Sequence, residues 1–251
     1  MKIEITSRSN PRLKELLAAR DRLFFFAGEK LVRDLLSRPL AVEKLLMDAD
    51  AERSLPEIAA TVGEYWQVTP QVMEKVSGMK SPPPLVAVLD LPGAEIDLRH
   101  QPVTLGLVDI QDPGNLGTIF RCASAFGFSA LALAGSCARP NHPKVVRSAQ
   151  TALLDVAFQA FADAETLVAK ALDQGAHVYV TGSHAAKRSL PLAALERPCL
   201  LLFGNEGRGL APQLCERFPL VRLEQEERIE SLNVAVSACI LMHDMKRVHG
   251  L

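Results

Sequence analysis

The sequence predicts an α/β protein in two parts: a small N-terminal α/β domain, then a larger domain on a parallel sheet. Three observations predict it. From residue 103 onward, short runs that are apolar at every position alternate with helical patterns. Such runs suit strands buried on both faces of a parallel sheet. The 251 residues are 48% hydrophobic and 23% charged, an ordinary globular balance that excludes a disordered chain. The break Ser81-Pro82-Pro83-Pro84 and the loose stretch over residues 91–102 divide the chain. Domains are expected at residues 1–90 and 103–251, with 91–102 as linker.

The first helix has a clear start. Asn10 can cap it, and Pro11 stands at the first helical position, where its missing N–H costs nothing. Leu13, Leu16 and Leu17 give it one apolar face. Residues 23–26 read as a strand, and Gly28 precedes a second helix to about residue 37. Further strands are expected at 42–47, 65–68 and 85–89, with helices near 55–62 and 70–76.

In the second part, strands are expected at 103–110, 130–134, 177–181, 199–203 and 220–223. Helices are expected at 115–126, about 143–153, 163–174 and 210–218, with a last one from Ser231 to about residue 248. In such sheets, ligands bind beyond the carboxyl ends of the strands.

Composition narrows the function. No apolar run approaches the roughly 20 residues of a membrane span, and residues 1–10 are too polar for a secretory signal, so a cytoplasmic protein is expected. The net charge is −1, from 28 basic and 29 acidic residues, which leaves only local basic patches for nucleic acid. Five cysteines without a CxxC pair argue against a disulfide framework and a zinc site; small buried hydrophobes in a reducing compartment are expected. HExxH, GxSxG, GxGxxG and Walker A patterns are all absent, so no metal is expected.

Three loops at expected strand ends carry chemistry. In Asp109-Ile110-Gln111-Asp112-Pro113-Gly114-Asn115, Asn115 sits where a helix cap belongs, and Arg121 follows six residues on. Taken alone, a capping Asn115 and a snorkelling Arg121 explain this loop. In Gly204-Asn205-Glu206-Gly207-Arg208-Gly209, glycines permit close backbone approach to a ligand, and Glu206 is a carboxylate in a tight loop. In Glu230-Ser231-Leu232-Asn233, Ser231 can cap the last helix, with Asn233 in its first turn. Two basic stretches suit phosphate contacts: residues 139–147, with Arg139, Lys144 and Arg147, and residues 1–38, with Arg8 and Arg12 and a net charge of +4. The acidic residues 224–227 should face away from phosphates.

The order and spacing of Asn115 and Arg121, of residues 203–210, and of residues 231–236 resemble the three motifs of the SpoU (TrmH-like) RNA ribose methyltransferases of the SPOUT superfamily. Residues 5–11 and 25–36 are similar to the RNA-substrate-binding domain often fused to that catalytic domain. The resemblance implies S-adenosylmethionine as methyl donor and an RNA 2′-hydroxyl as acceptor. It also implies a C-terminal trefoil knot and a homodimer. It assigns catalysis and its support to Arg121, Asn115, Glu206, Ser231 and Asn233, and the cofactor to Thr181, Gly182, Gly204, Leu223, Leu232 and Asn233. Because a guanidinium stays protonated, Arg121 is expected to bind the RNA phosphate and stabilise the developing alkoxide. The accessory domain points to ribosomal RNA of the large subunit. The alternatives are the same transfer on tRNA, or an RNA-binding ribosome-assembly factor without turnover. Two segments depart from the family: Leu223-Glu224-Gln225 replaces Ile-Pro-Met, and Arg147-Ser148-Ala149-Gln150-Thr151 replaces Arg-x-Ser-x-Gly.

Overall fold

The computed structural model describes residues 1–182, 189–223, 226, 228 and 231–250. The chain divides into two compact units: Met1–Pro92 with Asn141–Thr151, and Gly93–Pro140 with Ala152–Leu251.

The first stretch runs β1 (Lys2–Ile5), α1 (Pro11–Ala18), β2 (Leu23–Ala27), α2 (Glu29–Leu36), β3 (Lys44–Met47), α3 (Ala49–Ser54), α4 (Pro56–Thr61), β4 (Tyr65–Val68), α5 (Pro70–Ser77) and β5 (Leu85–Asp90). Its sheet has the order β1-β4-β3-β5-β2. β4 runs parallel to β1 and β3, while β5 runs antiparallel to β3 and β2. Leu13, Leu16, Phe25, Leu46, Trp66, Val72 and Val88 fill one core. The start of α1 follows from its sequence: the Asn10 Oδ1 accepts the Arg12 N–H at 2.9 Å, with Pro11 in the first turn.

The rest runs β6 (Val103–Val108), α6 (Pro113–Phe126), β7 (Ala130–Ala134), α7 (Pro143–Ala149), α8 (Ala152–Asp155), β8 (Ala157–Phe161), α9 (Ala164–Asp173), β9 (His177–Thr181), β10 (Cys199–Phe203), α10 (Pro212–Arg217), β11 (Leu220–Val221) and α11 (Val234–His249). Six of these strands form one sheet in the order β11-β9-β10-β6-β7-β8, and every pairing is parallel. The chain leaves β6 towards β7 and β8, then returns to the other side of β6 as β9 and β10. The ends of β6 and β10 therefore flank a topological switch point, where open parallel sheets leave a crevice for ligands.

Several expectations are corrected. The strands β1 and β8 lie in stretches with no continuous apolar run; each is the edge strand of its sheet, and β8 stays partly exposed along its length. The helix α3 is also new; the Asp48 carboxylate caps it by accepting the Ala51 N–H at 2.7 Å.

The helix expected over 143–153 stops at Ala149, because Gln150 takes φ +56°, and a separate short helix follows. The segment Asn141–Thr151, counted by sequence with the second domain, belongs to the first unit. The reason is apolar: Val145, Val146 and Ala149 are buried, and α7 packs on β2. The Asn141 amide also donates to the carbonyls of Arg20 and Asp21 at 2.9 and 2.8 Å.

The cysteine expectation fails in part. Cys122 on α6 and Cys239 on α11 form a disulfide, with 5.7 Å between their Cα atoms. They stand 117 residues apart, and only the packing of α6 on α11 joins them. Cys137, Cys199 and Cys215 are thiols outside the disulfide. Burial pushes the Cys199 thiol up to about 12.

Three measurements check these assignments. Trp66 is the single tryptophan, and it lies buried in the first unit. Val146→Ala is expected to cost about 2 kcal/mol and lower the urea midpoint read by Trp66 fluorescence; an unmoved midpoint would detach α7 from that unit. Thiol titration in urea should count three groups before reduction and five after. Folded protein treated with iodoacetamide at pH 8 should leave Cys199 unmodified, because its thiolate is scarcely populated.

Candidate active site

The loop after β6 opens α6 with a cap, but the cap is Asp112. Its carboxylate accepts the Asn115 N–H at 2.9 Å, and Pro113 follows at the first helical position. This corrects the expectation that Asn115 caps α6. Relieved of capping, the Asn115 side chain reaches two other loops. Its Nδ2 donates to Glu206 Oε1 at 2.8 Å, and its Oδ1 accepts from Asn233 Nδ2 at 2.9 Å. Asn233 in turn caps α11: its Oδ1 accepts the N–H groups of Ala235 and Val236 at 2.9 and 3.2 Å. Ser231, expected to cap this helix, takes no part in the cap.

This chain of bonds fixes its own direction. Helix N–H groups can only donate, so Asn233 must turn its oxygen to them and its NH2 to Asn115. Asn115 must then turn its NH2 to Glu206, which accepts. The three residues come from three loops, brought together by the adjacency of β6 and β10 and the packing of α11 on α6.

The Glu206 loop is a tight return. Asn205 and Gly209 form an isolated antiparallel bridge, and the Gly209 N–H donates to the Asn205 carbonyl at 2.9 Å. A Cβ on Gly204 would lie 2.3 Å from the Gly209 carbonyl carbon and 2.4 Å from the Leu210 nitrogen. Gly204 is thus required by the loop's own backbone, not only by a ligand. Asn205 escaped the sequence reading, although it stands beside Glu206. Its Oδ1 accepts the N–H groups of Gly207 and Arg208 at 2.9 and 3.1 Å, and its Nδ2 donates to the Asp109 carbonyl at 2.9 Å.

Arg121 is exposed on α6, about 9 Å along the helix axis from Asn115, and stands outside this hydrogen-bonded chain. No carboxylate among the described residues pairs with it.

The expected cofactor residues fall at neighbouring strand ends. Thr181 and Gly182 end β9, Gly204 follows β10, and Leu223 lies two residues beyond β11; β11, β9 and β10 are adjacent in the sheet. Leu232, just before α11, is 38% exposed. The Thr181 hydroxyl donates to the Leu202 carbonyl at 2.9 Å, which ties the end of β9 to β10.

Of the expected RNA contacts, Arg12, Lys144 and Arg147 are exposed and share the first unit. Arg8 belongs to that unit too, but it is engaged on α5: it pairs with Glu74 and donates to the Gln71 carbonyl at 2.9 Å. Arg139 is exposed in the second unit. Glu224, Gln225 and Glu227 lie outside the described residues. Among the described residues, no helix is long and apolar enough to cross a membrane, and no group of His, Cys, Asp and Glu could hold a metal ion.

Residues 102–243 match the SpoU rRNA Methylase family. The chain is 34% identical over 195 residues to an uncharacterised tRNA/rRNA methyltransferase of Synechocystis, across 76% of this chain and 69% of that protein. It is 28% identical over 253 aligned positions to the 23S rRNA (guanosine(2553)-2'-O)-methyltransferase RlmP of Bacillus subtilis, across 97% and 99%. The AdoMet-bound rRNA methyltransferase from Sinorhizobium meliloti has the same fold, with a TM-score of 0.82 at 26% identity over 98% of each chain. A family match over more than half its length, with a fold shared along nearly all of it, makes this chain a member of the SpoU rRNA methylase family.

Proposed function

We propose that this protein transfers the methyl group of S-adenosylmethionine to a ribose 2′-hydroxyl of large-subunit ribosomal RNA. The observation that carries this reading is the chain Asn233–Asn115–Glu206, assembled at the sheet's switch point in a SpoU-family protein. The relative similar along its whole length is named for 23S rRNA, which favours ribosomal RNA over tRNA.

The residues present fit the cofactor. Two glycines, Gly182 and Gly204, offer backbone without side chains at adjacent strand ends, and Leu223 and Leu232 offer apolar side chains shortly after β11 and just before α11. When bound there, S-adenosylmethionine supplies an electrophilic methyl group on a sulfonium. The chain's own residues do the rest. Arg121 binds the RNA phosphate and stabilises negative charge developing on the 2′-oxygen. Asn115 is held by its neighbours with both amide groups assigned, and Glu206 terminates the array as its acceptor. Ser231 and Asn233 belong to the α11 end of the site.

In this reading the first unit is the RNA-substrate-binding domain, with Arg8 and Arg12 on it and Lys144 and Arg147 added by α7. The catalytic unit carries the trefoil knot that the family resemblance implies. Two copies form a homodimer: Val236 and Ile240 lie one turn apart on α11, 47% and 38% exposed, a strip that a second copy can cover. The cytoplasm is the expected location, since ribosomal RNA is there.

Tritium transfer from labelled S-adenosylmethionine into total RNA from a strain lacking this protein tests the reading. Label is expected in large ribosomal RNA, with a loss of about 100-fold or more for Arg121→Ala. Arg121→Lys should recover little of it, because one ammonium cannot reproduce the guanidinium fork. Label confined to tRNA would overturn the substrate, and near-normal turnover with lysine would remove any need for guanidinium geometry.

A further inference from the structure

The end of β6 carries a feature that the site described above leaves unused. Asp109 has φ +55°, a left-handed backbone that residues other than glycine seldom adopt. The neighbouring chain is built to hold it there. The Asp109 Oδ1 accepts the Ser136 N–H at 2.7 Å, and the Asp109 N–H donates to the Ala134 carbonyl at 3.0 Å. A Cβ on Gly135 would lie 2.5 Å from that carboxylate oxygen, so only glycine leaves room for it. The outcome of this turn is the direction of one carbonyl. It accepts from Asn205 Nδ2 at 2.9 Å. With its NH2 fixed, Asn205 turns its oxygen to the Gly207 and Arg208 N–H groups and sets the return that carries Glu206.

We propose that Asp109 and Asn205 are positioning residues for methyl transfer. The left-handed turn at Asp109 aims its carbonyl at Asn205, and Asn205 holds the Glu206 carboxylate where Asn115 meets it. The loops after β6, β7 and β10 are thereby tied by one set of hydrogen bonds: Ser136 to Asp109, Asn205 to Asp109, and Asn115 to Glu206. Asp109 and Asn205 need not touch substrate; they act through Glu206. This inference rests on the reading that Asn115 and Glu206 support methyl transfer.

The test uses the full chain, with S-adenosylmethionine affinity by calorimetry, thermal midpoint and steady-state methylation of ribosomal RNA. Asn205→Asp keeps an oxygen for the Gly207 and Arg208 N–H groups but removes the donor to Asp109 and sets a second carboxylate beside Glu206. Its kcat is expected to fall about 10- to 100-fold, the scale of an ångström-sized misplacement, with KM for RNA and cofactor affinity each within about threefold. Asp109→Ala should lose kcat in the same way. Asp109→Asn, which retains a side-chain acceptor and tolerates a left-handed backbone, should restore most of that loss. Glu206→Ala, which removes the acceptor of the Asn115 amide, runs alongside to separate two failures. If Glu206→Ala keeps full activity, the reading of the site fails and this inference with it. If Glu206→Ala is inactive while Asn205→Asp and Asp109→Ala keep normal kcat, the inference alone is overturned. It is equally overturned if both variants lose cofactor affinity and thermal midpoint in step with kcat, or if Asp109→Asn restores nothing, because either result describes a residue that only holds the fold.

Discussion

The N–H groups of Ala235 and Val236 that Asn233 caps are the fixed point of the site. A helix N-terminus can only donate, and that single asymmetry propagates outward. It orients Asn233, which orients Asn115, which leaves Glu206 as the acceptor at the end. Reversing any amide would set donor against donor or acceptor against acceptor along the line. The two side-chain bonds are exposed, and exposed hydrogen bonds of this kind contribute only about 1 kcal/mol each. The array cannot hold three loops in place by itself. It registers positions that the scaffold has already set.

The scaffold sets them through topology. β6 and β10 pair in parallel register, Leu107 beside Phe203, so the loops that leave them start as neighbours. Phe203 is fully buried and anchors the departure of the Glu206 loop. Below the array, α6 and α11 are joined covalently through Cys122 and Cys239. The crosslink lies one residue past Arg121 and six past Asn233, so the two helices that present the site are tied close to the groups they present.

What could be read from the sequence was local or was buried. The Asn10–Pro11 start and the apolar strands 103–110, 130–134 and 199–203 needed only neighbouring residues to be recognised. The motif residues were likewise legible as a set. Caps were less so. Asp112 and Asn115 both suit a helix start, as do Ser231 and Asn233, and the choice between them is made by partners about 90 or more residues away. The edge strands β1 and β8 lack the continuous apolar run that marks an interior strand, whereas β2, also an edge, is covered by α7 and reads as Leu23-Phe24-Phe25-Phe26. The disulfide and the backbone of Asp109 leave no trace at short range, because tertiary packing alone creates both.

The membership of α7 in the first unit has a consequence for how the protein is made. The last strand of that unit ends at Asp90, but its edge strand β2 waits for a helix that ends at Ala149. At roughly 5–20 residues per second, the ribosome adds those intervening residues in roughly 3–12 s. During that interval the emerged N-terminal segment lacks the cover supplied by Val145, Val146 and Ala149. The first unit therefore cannot be completed as an isolated N-terminal piece. A nascent chain must keep an apolar edge out of trouble while it makes β6, α6 and β7, and a fragment cut at Pro92 carries that uncovered edge permanently.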